Sequence, residues 1–133
     1  MKYTDLKKQF AQDITDFPIA FAFSNQQLEQ AKTKLGVTDT NDMVSLGGGG
    51  FMLEKDVQAY KDMLERHSKM RQEFLSDDDN LADALSYELG NHEYVVTYDY
   101  SAALAALGLS DTNEQVQRVL PKAIKNYLSQ VEY

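Results

Sequence analysis

The spacing of apolar residues divides the chain into short amphipathic segments. Leu6, Phe10 and Ile14 recur every fourth residue between Thr4 and Asp16, with Lys7, Lys8, Gln12 and Asp13 on other faces. That spacing predicts a first helix. Thr4 is placed to cap it, and Phe17-Pro18 ends it, because the residue before a proline is pushed out of the α region. From Pro18 to Phe23 the period falls to two. Phe17, Ile19, Phe21 and Phe23 point one way and Pro18, Ala20 and Ala22 the other, which predicts a strand with one large-residue and one small-residue face. Small side chains admit a helix closely, so both faces are candidates for burial. Ser24 opens a second helix. Ser24 and Gln27 form a capping box, and Phe23 and Leu28 have the spacing of a hydrophobic staple. Leu28, Ala31 and Leu35 make its buried stripe, and Gly36 is its C′ stop.

After a polar connection, Val37 to Asp42, two short strands are predicted at Met43–Leu46 and Phe51–Leu53, around Gly47-Gly48-Gly49-Gly50. Glu54 to Leu75 is the longest predicted helix, with Val57, Tyr60, Met63, Leu64, His67, Met70 and Phe74 on one stripe. Glu65 and Lys69 have the favourable i, i+4 order for an ion pair. A fourth helix is expected over Asn80–Leu89, with Leu81, Ala84, Leu85 and Leu89 inward and Gly90 as its stop. A strand follows at Tyr94–Tyr98, then a short Ala-rich helix, Ala102–Leu107. The last helix is capped by an Asp111–Glu114 or Thr112–Gln115 box and runs to about Val131. Val116, Leu120, Ile124, Tyr127, Leu128 and Val131 face inward, and Pro121 either kinks or divides it. The sum is a single α+β domain, about five helices around a small sheet of three or four strands.

Charge adds an asymmetry that hydropathy does not show. Gln72 to Gln117 contains no Lys or Arg and ten carboxylates, while all 13 basic residues lie outside it against 11 other acids. The net charge of −8 is thus a middle segment of −10 and flanks that sum to +2. An acidic chain repels nucleic acid and anionic lipid, so direct nucleic-acid binding is not expected; the acidic excess reads either as attraction to a basic protein partner or as plain solubility. The length suits one domain. The absence of cysteine excludes disulfides and thiolate metal sites. No stretch approaches the roughly 20 apolar residues of a membrane span, and no signal segment opens the chain, so a cytoplasmic setting in a bacterial host cell is expected.

Candidate chemistry is sparse. Gly47–Gly50 reads either as a loop of exposed amides holding an anion or as a hairpin turn or bulge; it lacks the Gly-Lys-Ser/Thr ending of a P-loop. Asp77, Asp78 and Asp79 sit at a helix start, where acids cap free amides and oppose the macrodipole; they lack the register of a calcium loop. His67, on an apolar stripe, reads as a core or boundary histidine. Glu88, His92 and Glu93 form the one local carboxylate–histidine cluster, open to acid–base work by His92 or to plain turn hydrogen bonding. With Gly90 between them, Glu88 and His92 are not expected to share a helix face. Tyr94, Tyr98 and Tyr100 serve either an interface or ordinary sheet packing. No metal or cofactor is expected.

Phe21-Ala22-Phe23-Ser24-Asn25, Ser45-Leu46-Gly47-Gly48-Gly49-Gly50-Phe51 and Tyr87-Glu88-Leu89-Gly90-Asn91-His92-Glu93-Tyr94 resemble, in the same order, a group of small uncharacterised acidic proteins of bacteria and phages. The resemblance implies a mobile-element setting, where small acidic proteins include anti-CRISPR inhibitors of host defence nucleases. The expected function is a non-enzymatic acidic binding protein that blocks a basic nucleic-acid-binding protein such as a defence nuclease. Its expected footprint is Asp77, Asp78, Asp79, Asp83, Glu88, Glu93, Tyr98, Asp99 and Tyr100. The alternative is a small ligand-binding or hydrolytic domain using Gly47, Gly48, Gly49 and Gly50 with the Glu88/His92/Glu93 turn.

Overall fold

A computed structural model describes residues 1–131. The described chain is α+β, with seven α-helices and one three-stranded antiparallel sheet. It divides into two compact units, one formed by Met1–Lys7 and Met70 onward, the other by Lys8–Lys69. The boundaries fall inside the first helix, α1 (Tyr3–Asp16), and the third, α3 (Val57–Leu75).

The Lys8–Lys69 unit holds the sheet. Strand β1 (Ile19–Phe21) pairs with β3 (Gly50–Leu53), which pairs with β2 (Met43–Gly47), so β3 is central. Helix α2 (Asn25–Leu35) packs on β1, with Ala20 and Ala31 both buried. Its ends follow the expected local chemistry. Ser24 Oγ accepts from Gln27 N, and Gln27 Oε1 accepts from Phe23 N. Gly36 closes the helix at φ +77, its amide donating to Thr33 O while Val37 N donates to Lys32 O, the pairing of a Schellman end. A 3-10 turn, Glu54–Asp56, leads into α3, where the expected helix began. His67 on α3 is 5% exposed, its Nε2 lies 2.8 Å from Asp13 Oδ2, and its ring stacks on Phe10.

The regular elements of the other unit are all helices among the described residues. α4 (Asp78–Asn91) packs along α7 (Glu114–Gln130) and against α6 (Ser101–Ala106). Leu81, Leu85, Leu89, Leu104, Val116 and Ala123 lie in the shared core. α7 is capped by Asn113, whose Oδ1 accepts from Val116 N, rather than by either expected box. It runs unbroken past Pro121. Pro121 and Gln117 are both exposed, so water can serve the Gln117 carbonyl that the missing N–H leaves free.

Two expectations fail in this unit, for identifiable reasons. Gly90 does not stop α4, which continues to Asn91. A Cβ there would meet the Tyr127 ring at 3.4 Å, an ordinary packing distance, so α7 passes close to this helical glycine. Tyr94–Tyr98 is not a strand but a helical turn, α5 (Tyr94–Thr97), flanked by Glu93 at φ +56 and Tyr98 at φ +54. Tyr94 and Val95 pack on the core from that turn, and tertiary packing overrides the strand preference of Tyr-Val-Val-Thr.

Candidate functional site

Several acids of the middle segment have partners within the chain. Asp77 caps α4, its Oδ1 accepting from Asn80 N. Asp78 receives a two-pronged contact from Arg118, with Nη2 2.8 Å from Oδ1 and Nε 3.2 Å from Oδ2, and also a bond from Gln115. The Arg118 bond, reinforced by Gln115, holds the Asp78 carboxyl below its usual range. Asp79 lies 3.7 Å from Lys122. Asp83 accepts from Tyr3 N, and Asp99 from Ser101 N, which lowers the Asp99 carboxyl. The basic residues of α7 therefore face the acidic start of α4, and the expected footprint is largely engaged within its own unit. Tyr98 is exposed at its left-handed backbone position, while Tyr100 is half-buried against the core.

Glu88 departs furthest from expectation, for it is 1% exposed and belongs to no surface. Its Oε1 accepts from Tyr3 Oη at 2.8 Å and from Lys7 Nζ at 3.0 Å. Its Oε2 faces Asn91 Nδ2 at 3.4 Å and His92 Nε2 at 3.3 Å. The uninterrupted α4 is what sets Glu88 and His92 at i, i+4. Burial pushes the Glu88 carboxyl up, but the Tyr3 hydroxyl and the Lys7 ammonium outweigh it, and the net shift is downward. The Tyr3 phenol is driven up, by burial first and by Glu88 second. Lys7 Nζ also lies over the Tyr3 and Tyr87 rings, 5.6 and 5.0 Å from their centroids, within cation–π range.

Chemically this is a closed polar lock. Both carboxylate oxygens are occupied by protein donors, and no buried side-chain N or O among the described residues lacks a partner. The lock fastens the first turns of α1 to α4. Glu93 forms no ion pair with it. Among the described residues no group of three His, Asp or Glu is placed to hold a metal ion. Of the alternative site, Gly47–Gly50 belongs to the Lys8–Lys69 unit and Glu88, His92 and Glu93 to the other.

The glycine run is the turn of the β2–β3 hairpin. Gly48 and Gly49 are its two central residues, at φ +56 and +81, as a type I′ turn requires. Leu46 is the extra residue of a bulge where the register shifts between Ser45 and Gly47. Phe21 pairs with Gly50 across the sheet. A Cβ on Gly50 would lie 3.3 Å from the Phe21 ring and 3.7 Å from Leu46 Cβ. A Cβ on Gly49 would run into the Phe23 ring. The glycines thus form a floor on which two phenylalanines rest, an arrangement akin to aromatic cover of sheet glycines. Both phenylalanines remain mostly exposed, Phe21 at 63% and Phe23 at 75%, with Leu46 at 40% beside them. The expectation of two covered faces fails here, because α2 takes the small-residue face of β1 and leaves these aromatics outside. Sequence pattern placed Phe21 and Phe23 on one strand face but did not mark them or Leu46 as functional; alternation shows that two faces exist, not which is covered.

A family model described as a family of unknown function, DUF7659, matches residues 2–126. No curated protein and no solved structure matches the chain.

Proposed function

We propose that this chain, which belongs to the DUF7659 family of unknown function, is a non-enzymatic binding protein whose contact face is the aromatic hairpin end of its sheet. The observation that carries the reading is the exposure of Phe21 and Phe23, at 63% and 75%, on a glycine floor beside an edge strand. Grouped exposed aromatics mark interaction sites more often than chance, and aromatic anchors dominate binding energy where they become desolvated. A narrower form of the proposal is an inhibitor of a basic nucleic-acid-binding protein of host defence. Its support is the net charge of −8 and the resemblance to small acidic phage and mobile-element proteins; steering by charge would speed such an encounter and weaken with salt.

The test is capture of partners from bacterial lysate, followed by titration of any stoichiometric partner against variants. Phe21→Ser with Phe23→Ser should weaken binding about 30- to 1,000-fold, the range of losing an aromatic hot spot. Asp77→Asn with Asp78→Asn and Asp79→Asn should change it far less, since these acids are occupied within the chain. A partner held equally well by the double serine variant refutes the hairpin face, and one lost only with the aspartates moves the contact to the start of α4.

A further inference from the structure

The C-terminal end of α2 opens on a cleft of about 490 Å³ in the Lys8–Lys69 unit. Leu35, Val37 and Leu53 supply its apolar walls, and Asp42, Glu54 and Lys55 are exposed on its rim. Neither rim carboxylate forms an ion pair among the described residues. This sets them apart from Asp78 and Asp79, which basic side chains already face. The cleft also lies at the carbonyl pole of α2, ended at Gly36, where the helix dipole adds partial negative charge. Two carboxylates stand against the Lys55 ammonium at the cleft; of the two lysines in the last turn of α2, Lys32 pairs with Glu29 and Lys34 donates to Ile19 O, so the lining itself favours a cation despite Lys55.

We propose that this cleft receives a lysine or arginine side chain presented by a protein partner. Such a side chain has the two properties the lining asks for, an apolar stem to lie along Leu35, Val37 and Leu53 and a cationic head to meet Asp42 and Glu54. The source follows from the size and openness of the site. A free amine in a cleft with exposed rims gains few contacts and loses its translational freedom, whereas a side chain already tethered at a larger interface does not bear that cost again. The inference rests on the binding-protein reading for the source of the side chain, and uses residues separate from the hairpin face.

The experiment uses the ¹⁵N-labelled full chain, titrated with N-acetyl-arginine amide and N-acetyl-lysine amide, with N-acetyl-norleucine amide as the neutral control. Saturable shifts are expected at the amides of Gly36, Val37, Asp42 and Leu53–Lys55, and not with the norleucine probe. Asp42→Asn with Glu54→Gln should weaken the cationic probes about three- to tenfold, the scale of losing two exposed ion pairs, and Lys55→Gln should tighten them. All three positions are exposed, so an otherwise unchanged spectrum certifies the fold. Equal shifts with norleucine amide, no saturable shifts, or charge variants without effect would each overturn the proposal. Phe21→Ser with Phe23→Ser should leave probe binding intact. The two readings therefore fail separately: the hairpin face by retention of the partner in the serine variant, the cleft by the probes.

Discussion

Glu88→Ala tests whether the buried lock holds the helical unit together. The substitution removes the acceptor of Tyr3 Oη and Lys7 Nζ. Tyr3 is buried, so its hydroxyl would be left unpaired at a cost of about 1–3 kcal/mol. The lost side chain also leaves a small void, worth about 1 kcal/mol per methylene. Lys7 loses less, because its side chain is 42% exposed and water can take over its ammonium, in the manner of a surface pair worth ~0–1 kcal/mol. Against these losses, alanine escapes the desolvation of a buried carboxylate, which makes replacement of buried ions cheaper than their contacts suggest. The expected net is a destabilisation of about 2–4 kcal/mol, a large part of the roughly 5–15 kcal/mol that holds a domain folded. Urea unfolding at neutral pH, followed by circular dichroism, reads it as a fall in midpoint at constant slope. Glu88→Gln, which retains an acceptor for Tyr3, should cost about 1 kcal/mol. Tyr3→Phe should destabilise the native chain yet be neutral or stabilising beside Glu88→Ala, since it then deletes an unpaired hydroxyl. A Glu88→Ala midpoint within ~0.5 kcal/mol of the native chain, the scale of an ordinary surface change, would refute the lock.

The same contacts set a pH profile. The Glu88 carboxyl is depressed below its ordinary 4.5, so its contribution is complete above that pH and is lost as pH falls through the lowered value. Tyr3 is raised above its ordinary 10.0, so its contribution is complete below 10.0 and declines as pH rises beyond it. Unfolding midpoints against pH should show a plateau between these limits, with a shallower acid side in Glu88→Gln; an unchanged acid side refutes the assignment. In the other unit, Gly49→Ala should destabilise by about 1–3 kcal/mol from its positive φ and the displaced Phe23 ring. Adding Phe23→Ala should recover the part due to the ring alone, and full recovery in a thermal melt would show that φ costs nothing there.

Legibility in the sequence followed the range of the interactions. The ends of α2 were readable because Ser24, Gln27 and Gly36 act within a few residues of themselves, and the glycine hairpin because a turn is local. Gly90 misled because a glycine can end a helix by local rules, whereas α4 continues through it beside Tyr127, 37 positions further along the chain. That one misreading hid the continuous α4 and the i, i+4 pairing of Glu88 with His92. Seven helices stand where about five were expected, partly because Tyr94–Thr97 took its conformation from the core it packs against. The acidic segment is one-signed only along the chain, for Arg118 and Lys122 return from α7 to face Asp78 and Asp79. The rims of the cleft were equally hidden, since Asp42 and Glu54 flank the hairpin in sequence and only the fold sets both on one cleft.

The lock between α1 and α4 also orders events during synthesis. Tyr3 must wait for Asp83 and Glu88, 80 and 85 residues later in the chain, a delay of roughly 4–17 s at ribosomal rates of about 5–20 residues per second. The sheet, its α2 cover and the Asp13–His67 pair all lie within the continuous stretch Lys8–Lys69, so their partners emerge during that interval. The Tyr3 ring can meet Phe74 before Glu88 arrives, but its hydroxyl stays without its acceptor until then, by which time every strand of the sheet has been made.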